Sequence, residues 1–138
     1  MLAALQAKLG GIDQGVFKAG TCLSGGVVGR GETCGALTGA LMAIGSEVGR
    51  ERLEDVEQLR KARVPGTEMY LRFKEKVGDT LCAEIHKIKF GRTYHLYDPA
   101  EMKAFNEAGG HGPDGCPTVC RSAARIAADI ILRLRGNA

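Results

Sequence analysis

The sequence predicts an all-α protein, a small helical bundle with a long loop, rich in histidine and glycine, before its last helix. Apolar residues recur at helical spacing in several segments, and no segment shows the alternation that is typical of a strand. Glycine accounts for 20 of the 138 residues, and glycine clusters separate these segments. The length is that of one domain, so residues 1–138 are expected to form a single helical cysteine-motif domain.

Three helices are predicted in the amino-terminal part of the chain. The first covers 2–9 and ends at a pair of glycines. It has no visible start, so we expect an upstream helix to be missing before Met1. The second covers 12–23, and the third covers 34–48, where a threonine precedes the first turn as a cap.

The third helix carries small residues on one face, at Gly35, Gly39 and Ala43. Glycine inside a helix costs about 1 kcal/mol relative to alanine. Close approach of another helix or of a ligand would offset that cost. Together with the small all-α core, this face predicts a homo-oligomer, namely a dimer.

A charged amphipathic helix is predicted next, over 50–63, and we expect Pro65 and Gly66 to end it. Residues 67–85 are predicted to form one or two helices, with a break near Gly78 and with Asp79 or Thr80 capping the second.

The segment 86–115 differs from the rest because it contains all three histidines and a cluster of glycines. It is interpreted as a long ordered loop with one short helix after Asp98, and such loops are often functional. The last helix is predicted over 117–135, where apolar residues form a continuous stripe.

Charge and hydropathy exclude some classes of protein. The net charge is only +3, and no run of five like charges is present, so no nucleic-acid partner is predicted. The longest uncharged stretch, 33–46, is shorter than the roughly 20 residues that a membrane span needs. No signal peptide is visible. A reducing cytoplasm is therefore expected, where five cysteines indicate metal binding, redox chemistry or core packing.

Two cysteines are predicted at helix starts. Pro117 is favoured in the first turn of a helix, which places Cys116 at the cap position, and Cys120 follows one turn later on the same face. Cys34 follows the threonine that caps the third helix. Because unpaired backbone amides surround a helix start, we expect a lowered pKa there, and Cys116 is expected to be the most reactive thiol. Cys82 is placed in the short helical segment after the break.

Spacing excludes two familiar kinds of site. No CxxC is present, so no zinc-finger spacing exists, and CxxCH is also absent, which disfavours haem. His111, five residues before Cys116, is a candidate nitrogen ligand beside thiolates, or a solvated loop residue. Arg92 and Tyr94 are candidates to bind an anionic ligand, or surface packing residues. Cys22 is expected to be a packing residue.

Several motifs in combination resemble a known family. They are the segment CGALTG of 34–39, a lone Cys82 that follows the segment FKEKVGDTL of 73–81, and Cys116 with Pro117 at the start of the last helix. This pattern, over about 17–132, resembles the C-GCAxxG-C-C family of redox-active proteins and, more distantly, the split-Soret cytochrome group.

The resemblance implies a helical fold, a redox function and four characteristic cysteines. By position, Cys34 is the central motif cysteine, and Cys82 and Cys116 are the last two. The first would lie upstream of Met1.

Three functions remain open from the sequence. In the first, Cys34, Cys82, Cys116 and Cys120 converge for electron transfer or thiol/disulfide chemistry, with or without an iron–sulfur cluster. In the second, the same thiolates bind zinc or another soft metal in a non-catalytic module that serves a transporter. In the third, the cysteines only pack. Whether the protein is an enzyme is left open.

Overall fold

The computed structural model describes residues 1–136 and is all-helical. Within these residues it contains no strand, and no helix combines the length and the apolar character needed to cross a membrane. The α-helices, in chain order, are α1 (Leu2–Leu9), α2 (Gln14–Ala19), α3 (Gly35–Val48), α4 (Val56–Val77), α5 (Cys82–Phe90), α6 (Pro99–Glu107) and α7 (Cys116–Leu134). A short 3-10 helix, Gly20–Leu23, continues α2. The predicted fold class is confirmed.

The core lies where α3, α4 and α7 pack against one another. Large side chains such as Leu37 of α3, Phe73 of α4 and Ile130 of α7 are fully or almost fully buried. Each contributes roughly 1.5–3 kcal/mol by leaving water. Alanines of α3 and α7, among them Ala40 and Ala127, are also fully buried and let the helices approach closely. The apolar stripe predicted for the last helix is this buried face of α7.

The predicted helix over 50–63 is wrong at both ends. Residues 50–55 are not helical, and α4 begins after Asp55, whose carboxylate accepts a hydrogen bond from the backbone N–H of Gln58 at 2.9 Å. The helix then continues through Pro65 to Val77. A proline removes one helical hydrogen bond. Burial of Pro65 itself, and of two core side chains beyond it, offsets that loss.

The long loop expected over 86–115 is divided by helices. Its first residues belong to α5, and the predicted short helix is present as α6, capped by the Asp98 carboxylate, which accepts two backbone N–H bonds. Only 91–98 and 108–115 lie outside helices. The helices form here because an aromatic cluster gives them a place to pack, with Phe90, Tyr94 and Phe105 in edge-to-face contact.

The small-residue face of α3 is covered within the chain. A Cβ at Gly39 would lie 2.6 Å from the Met1 side chain, and one at Gly35 would lie 2.7 Å from the carbonyl oxygen of Leu23. Ala43 is fully buried. The close approach that the sequence predicted is therefore made by α1 and by the 3-10 helix. The homodimer stays a prediction, and this face of α3 is not available as its interface because the chain itself covers it.

The glycine-rich segment before α3 forms a left-handed turn. Five consecutive residues, 25–29, have φ between +46 and +76, and two of them are Val27 and Val28. A β-branched residue is strained in this region. Backbone bonds across the turn hold it, including Gly31 N–H to Gly25 O at 3.3 Å and Glu32 N–H to Gly26 O at 3.0 Å.

Gly26 is expected to tolerate no side chain, whereas Gly91 provides a matched control. Both have positive φ, +70 and +78. A Cβ at Gly26 would lie 2.5 Å from the Glu32 carbonyl oxygen and 2.6 Å from the Cβ of Cys82, and one at Gly91 would meet nothing within 4 Å. Gly91→Ala should therefore cost only about 1 kcal/mol of left-handed strain. Gly26→Ala should lower the free energy of unfolding, measured with urea, by clearly more than this. Equal losses in the two variants would contradict the prediction.

Candidate functional site

The starts of α3 and α5 are joined by a two-residue β-bridge. Thr33 and Leu81 pair in antiparallel fashion. The backbone N–H of Cys34 donates to Thr80 O at 2.8 Å, and that of Cys82 donates to Glu32 O at 2.8 Å. Successive side chains of an extended segment point to opposite faces, so the residues that follow Thr33 and Leu81 both point away from the face of the bridged pair. Cys34 and Cys82 therefore point to the same face, as diagonal neighbours with Cα atoms roughly 7–8 Å apart.

Three cysteines stand at three different helix starts. Cys34 is the N-cap residue of α3, Cys82 is the first residue of α5, and Cys116 is the first residue of α7. The predicted helix starts at Cys34 and Cys116 are confirmed. The start at Cys82 was missed, because Asp79 resembles a cap but binds the N–H groups of Thr80 and Leu81 instead.

These helix starts surround one cavity of about 810 Å³. The sulfur-bearing residues Cys34, Cys82, Cys116 and Cys120 all line it, so the convergence predicted from the sequence is observed. We call this space the four-thiol cavity. Two histidines also line it, and most of the remaining wall is apolar or glycine: Met1, Leu2, Ala3, Phe17, Gly20, Gly25, Val28, Gly29, Gly35, Ala36, Gly39, Ile85, Leu96, Met102, Phe105 and Val119. The prediction that Cys22 is a packing residue is wrong, because Cys22 is exposed, and it also lies outside this lining.

His86 is a site residue that the sequence analysis did not select. It is only 1% exposed, and its Nε2 atom lies 3.6 Å from the Sγ of Cys82. Within residues 1–136, no hydrogen-bond partner meets its Nδ1 atom. Burial lowers the pKa of His86. The backbone of Tyr94 acts in the opposite direction because it favours the protonated ring, but it does not form a hydrogen bond with Nδ1. The four-residue spacing between Cys82 and His86 on a helix was the available signal.

Burial keeps three of the cavity thiols, those of Cys34, Cys82 and Cys116, protonated, because it raises the pKa of each. It raises the pKa of Cys82 to about 12 and that of Cys116 to about 11. A charged Cys34 would raise both further, so the three sulfurs lie close enough to interact. Burial also raises the pKa of Cys34, against the lowering effect of backbone N–H groups in the first turn of α3.

The lowered pKa expected for Cys116 is therefore wrong for this structure. A helix start favours the thiolate through its unpaired amides, but removal from water disfavours any charge. At Cys116 burial is the larger effect, and the neighbouring thiols Cys34 and Cys120 add to it.

The other predicted site residues fall into two groups. His111 lines the four-thiol cavity, and its Nδ1 lies 2.6 Å from the Oδ1 of Asn106. Arg92 and Tyr94 do not line it. Arg92 binds Glu101, with its Nη1 3.0 Å from Oε2, and stacks over the ring of Tyr94 at 3.9 Å.

A metal-binding cluster is not formed by the described side chains as they stand. Among residues 1–136, no group of three or more His, Cys, Asp or Glu side chains is arranged to hold a metal ion. The assignment of Cys34, Cys82, Cys116 and Cys120 as metal ligands stays a prediction.

The fold and the site together define a small helical protein whose thiols are clustered at one cavity. The model of the family described as "Putative redox-active protein (C_GCAxxG_C_C)" matches residues 1–130. The chain belongs to this family of redox-active proteins, as its motifs predicted. No curated protein and no solved structure was found to match the chain.

Thiol labelling should follow exposure and protonation. We expect an anionic reagent such as iodoacetate to modify the exposed Cys22 first at pH 7. Cys82 and Cys116 should react slowly and accelerate as the pH rises towards their raised pKa values of about 12 and about 11, because only the thiolate is nucleophilic. Mass spectrometry of peptides locates each label. Faster labelling of Cys116 than of Cys22 at neutral pH would contradict the burial argument.

Proposed function

We propose that the redox activity of this chain is thiol/disulfide chemistry in the four-thiol cavity. One observation carries the proposal: Cys34, Cys82 and Cys116 begin three different helices and all line the same cavity. Cysteines that served only as packing residues would not need to gather at one cavity from three elements.

The surroundings suit a reaction between uncharged species. A pair of thiols and the disulfide formed from it are both neutral, so neither pays for burial of a charge. In the oxidation, two S–H bonds break and one S–S bond forms. The two electrons and two protons pass to an oxidant, such as a small-molecule disulfide, which is reduced to two thiols.

Geometry narrows the choice of sulfur pair. Disulfides need Cα atoms about 4.4–6.8 Å apart. The Cα atoms of Cys34 and Cys82, roughly 7–8 Å apart as diagonal neighbours, would therefore have to move slightly closer. Cys116 and Cys120 lie one turn apart on α7, where an in-helix bridge is strained. Cys34, Cys82 and Cys116 are therefore the redox residues of the proposal, and Cys120 lies beside them.

Oxidation by a neutral disulfide tests this function. Reduced protein treated with 2,2′-dithiodipyridine should lose two hydrogens per internal disulfide, and peptide mapping should place the bond among Cys34, Cys82 and Cys116. Serine replacement of the bonded residues should abolish the bond. Cys22→Ser should leave it unchanged, because Cys22 is exposed and outside the cavity lining. Absence of any bond among the three would overturn the proposal.

A soft metal held by thiolates is a second candidate, favoured by the Cys82–His86 pair. Their Sγ and Nε2 atoms are 3.6 Å apart. Two ligands of a tetrahedral zinc ion, at about 2.3 Å for sulfur and 2.0 Å for nitrogen, are separated by about 3.5 Å. A third and a fourth ligand would have to come from the other cavity thiols after a rearrangement.

Metal analysis of anaerobically purified protein decides this candidate. If thiolates hold a soft metal, the protein should contain zinc or iron in stoichiometric amount, and iron should give visible colour. His86→Gln should weaken metal retention markedly, because it removes one of the paired donors. His95→Gln, in the loop before α6, is the matched control and should retain metal fully. Metal-free protein that remains folded would contradict this second candidate.

A further inference from the structure

A groove between α3 and α4 lies apart from the four-thiol cavity. It has a volume of about 430 Å³, and no described residue lines both spaces. We call it the α3–α4 groove, and its lining consists of Leu41, Ile44 and Gly45 of α3 with Leu59, Ala62, Arg63, Gly66, Thr67 and Tyr70 of α4. Most of this lining is apolar, so a partner that entered it would gain by removing apolar surface from water.

Two glycines of the α3–α4 groove are not explained by contacts within the described chain. Gly45 lies in α3 and Gly66 lies in α4, where glycine is a poorer helix former than alanine. Neither has a positive φ that would call for glycine. A Cβ at Gly45 would meet nothing within 4 Å, and one at Gly66 would meet only the Leu41 side chain, at an ordinary 3.7 Å. The open space at both positions lets the backbone of a partner approach closely.

The α4 edge of the groove carries positive charge that the described chain does not neutralise. Arg60, Arg63 and Lys74 are exposed and are spaced by three and by eleven residues, which places them on one face of α4. No salt bridge links any of them to another residue of 1–136. The acids Glu57 and Glu68 of the same helix are already paired with other basic residues. A partner with carboxylates at this edge would therefore complement its charge.

Shape and charge together favour an acidic helix as the occupant. A second copy of the chain, docked through the same face, would place Arg60 and Arg63 opposite the same cations. A bilayer surface is flat, whereas the groove is concave between two helices. Residues 1–136 contain no strand whose edge could pair with an extended peptide. Amphipathic helices, by contrast, commonly lay their apolar face into grooves of this kind.

We propose that the α3–α4 groove binds an amphipathic helix of a partner protein that carries acidic residues beside its apolar stripe. Apolar side chains of that helix occupy the groove, and its backbone passes close to Gly45 and Gly66. Its carboxylates pair with Arg63 and with the neighbouring cations of α4. This inference goes beyond the proposed thiol/disulfide function and does not depend on it, because the groove and the four-thiol cavity have separate linings.

A designed peptide serves as the probe. It has about 20 residues, enough for a helix of several turns, with leucine at spacings of three and four and glutamate on both sides of the leucines. A second peptide has lysine in place of every glutamate. Fluorescence polarisation measures the binding of each labelled peptide to the full chain. We expect saturable binding of the glutamate peptide with a Kd below about 100 µM, and binding of the lysine peptide at least about tenfold weaker.

Two matched pairs of variants locate the peptide. Gly45→Leu fills the groove, whereas Ser46→Leu adds the same side chain at the next residue, which is exposed and outside the lining. Arg63→Glu reverses a charge of the groove, whereas Arg125→Glu reverses one on the exposed side of α7. Gly45→Leu and Arg63→Glu should each weaken binding about tenfold or more, and the two controls should change it little. Because Gly45 faces open space, Gly45→Leu should not lower the urea midpoint of unfolding.

Every other result would overturn the inference. No binding of the glutamate peptide, equal binding of the lysine peptide, or binding that survives Gly45→Leu would each do so. Self-association that Gly45→Leu abolishes, measured by analytical ultracentrifugation, would assign the groove to a second copy instead. Binding to phosphatidylglycerol vesicles that the same variant abolishes would assign it to a lipid surface. None of these measurements involves the cysteines, so the thiol/disulfide function is tested separately by its own oxidation experiment.

Discussion

The candidate site depends on a single pair of extended residues, Thr33 and Leu81. The close helix pairs of residues 1–136 involve α1 to α4, the 3-10 helix and α7, and none of them involves α5. The backbone bonds beside the bridge, from Cys34 to Thr80 and from Cys82 to Glu32, therefore fix the start of α5 against the start of α3. A further bond, from the Ala83 N–H to Gly31 O at 2.9 Å, continues this connection into the first turn of α5.

Burial then decides the chemical state of the thiols that the bridge brings together. A helix start alone favours thiolate, but at Cys116 the loss of water and the neighbouring sulfurs outweigh the amides, and its pKa rises to about 11. The buried His86 imidazole beside Cys82 is biased towards its neutral form for the same reason. The cavity as a whole therefore favours neutral partners, which is why a dithiol, a disulfide and an uncharged oxidant are compatible with it.

The sequence predicted those parts of the structure that depend on local patterns. Capping residues and apolar spacing placed both ends of α3 and α7 within one residue and predicted a short helix after Asp98, which is α6. The helix starts at Cys34 and Cys116 followed from these patterns. Local patterns failed where tertiary packing decided the outcome. Burial in the core carried α4 through Pro65. The pKa of Cys116 depended on elements distant in sequence, which no spacing encodes.

The glycine-rich segment before α3 shows how such tertiary demands act on single positions. In the sequence it is only one of the glycine clusters that separate the helices. In the structure it forms a left-handed turn, and Gly26 lets the backbone approach the Cβ of Cys82. Gly25 and Val28 contribute to the cavity wall. Strained valines beside a cavity indicate that surrounding contacts enforce this turn. The segment thus adds uncharged surface to the cavity beside Cys34, Cys82 and Cys116, whose pKa values are raised by burial.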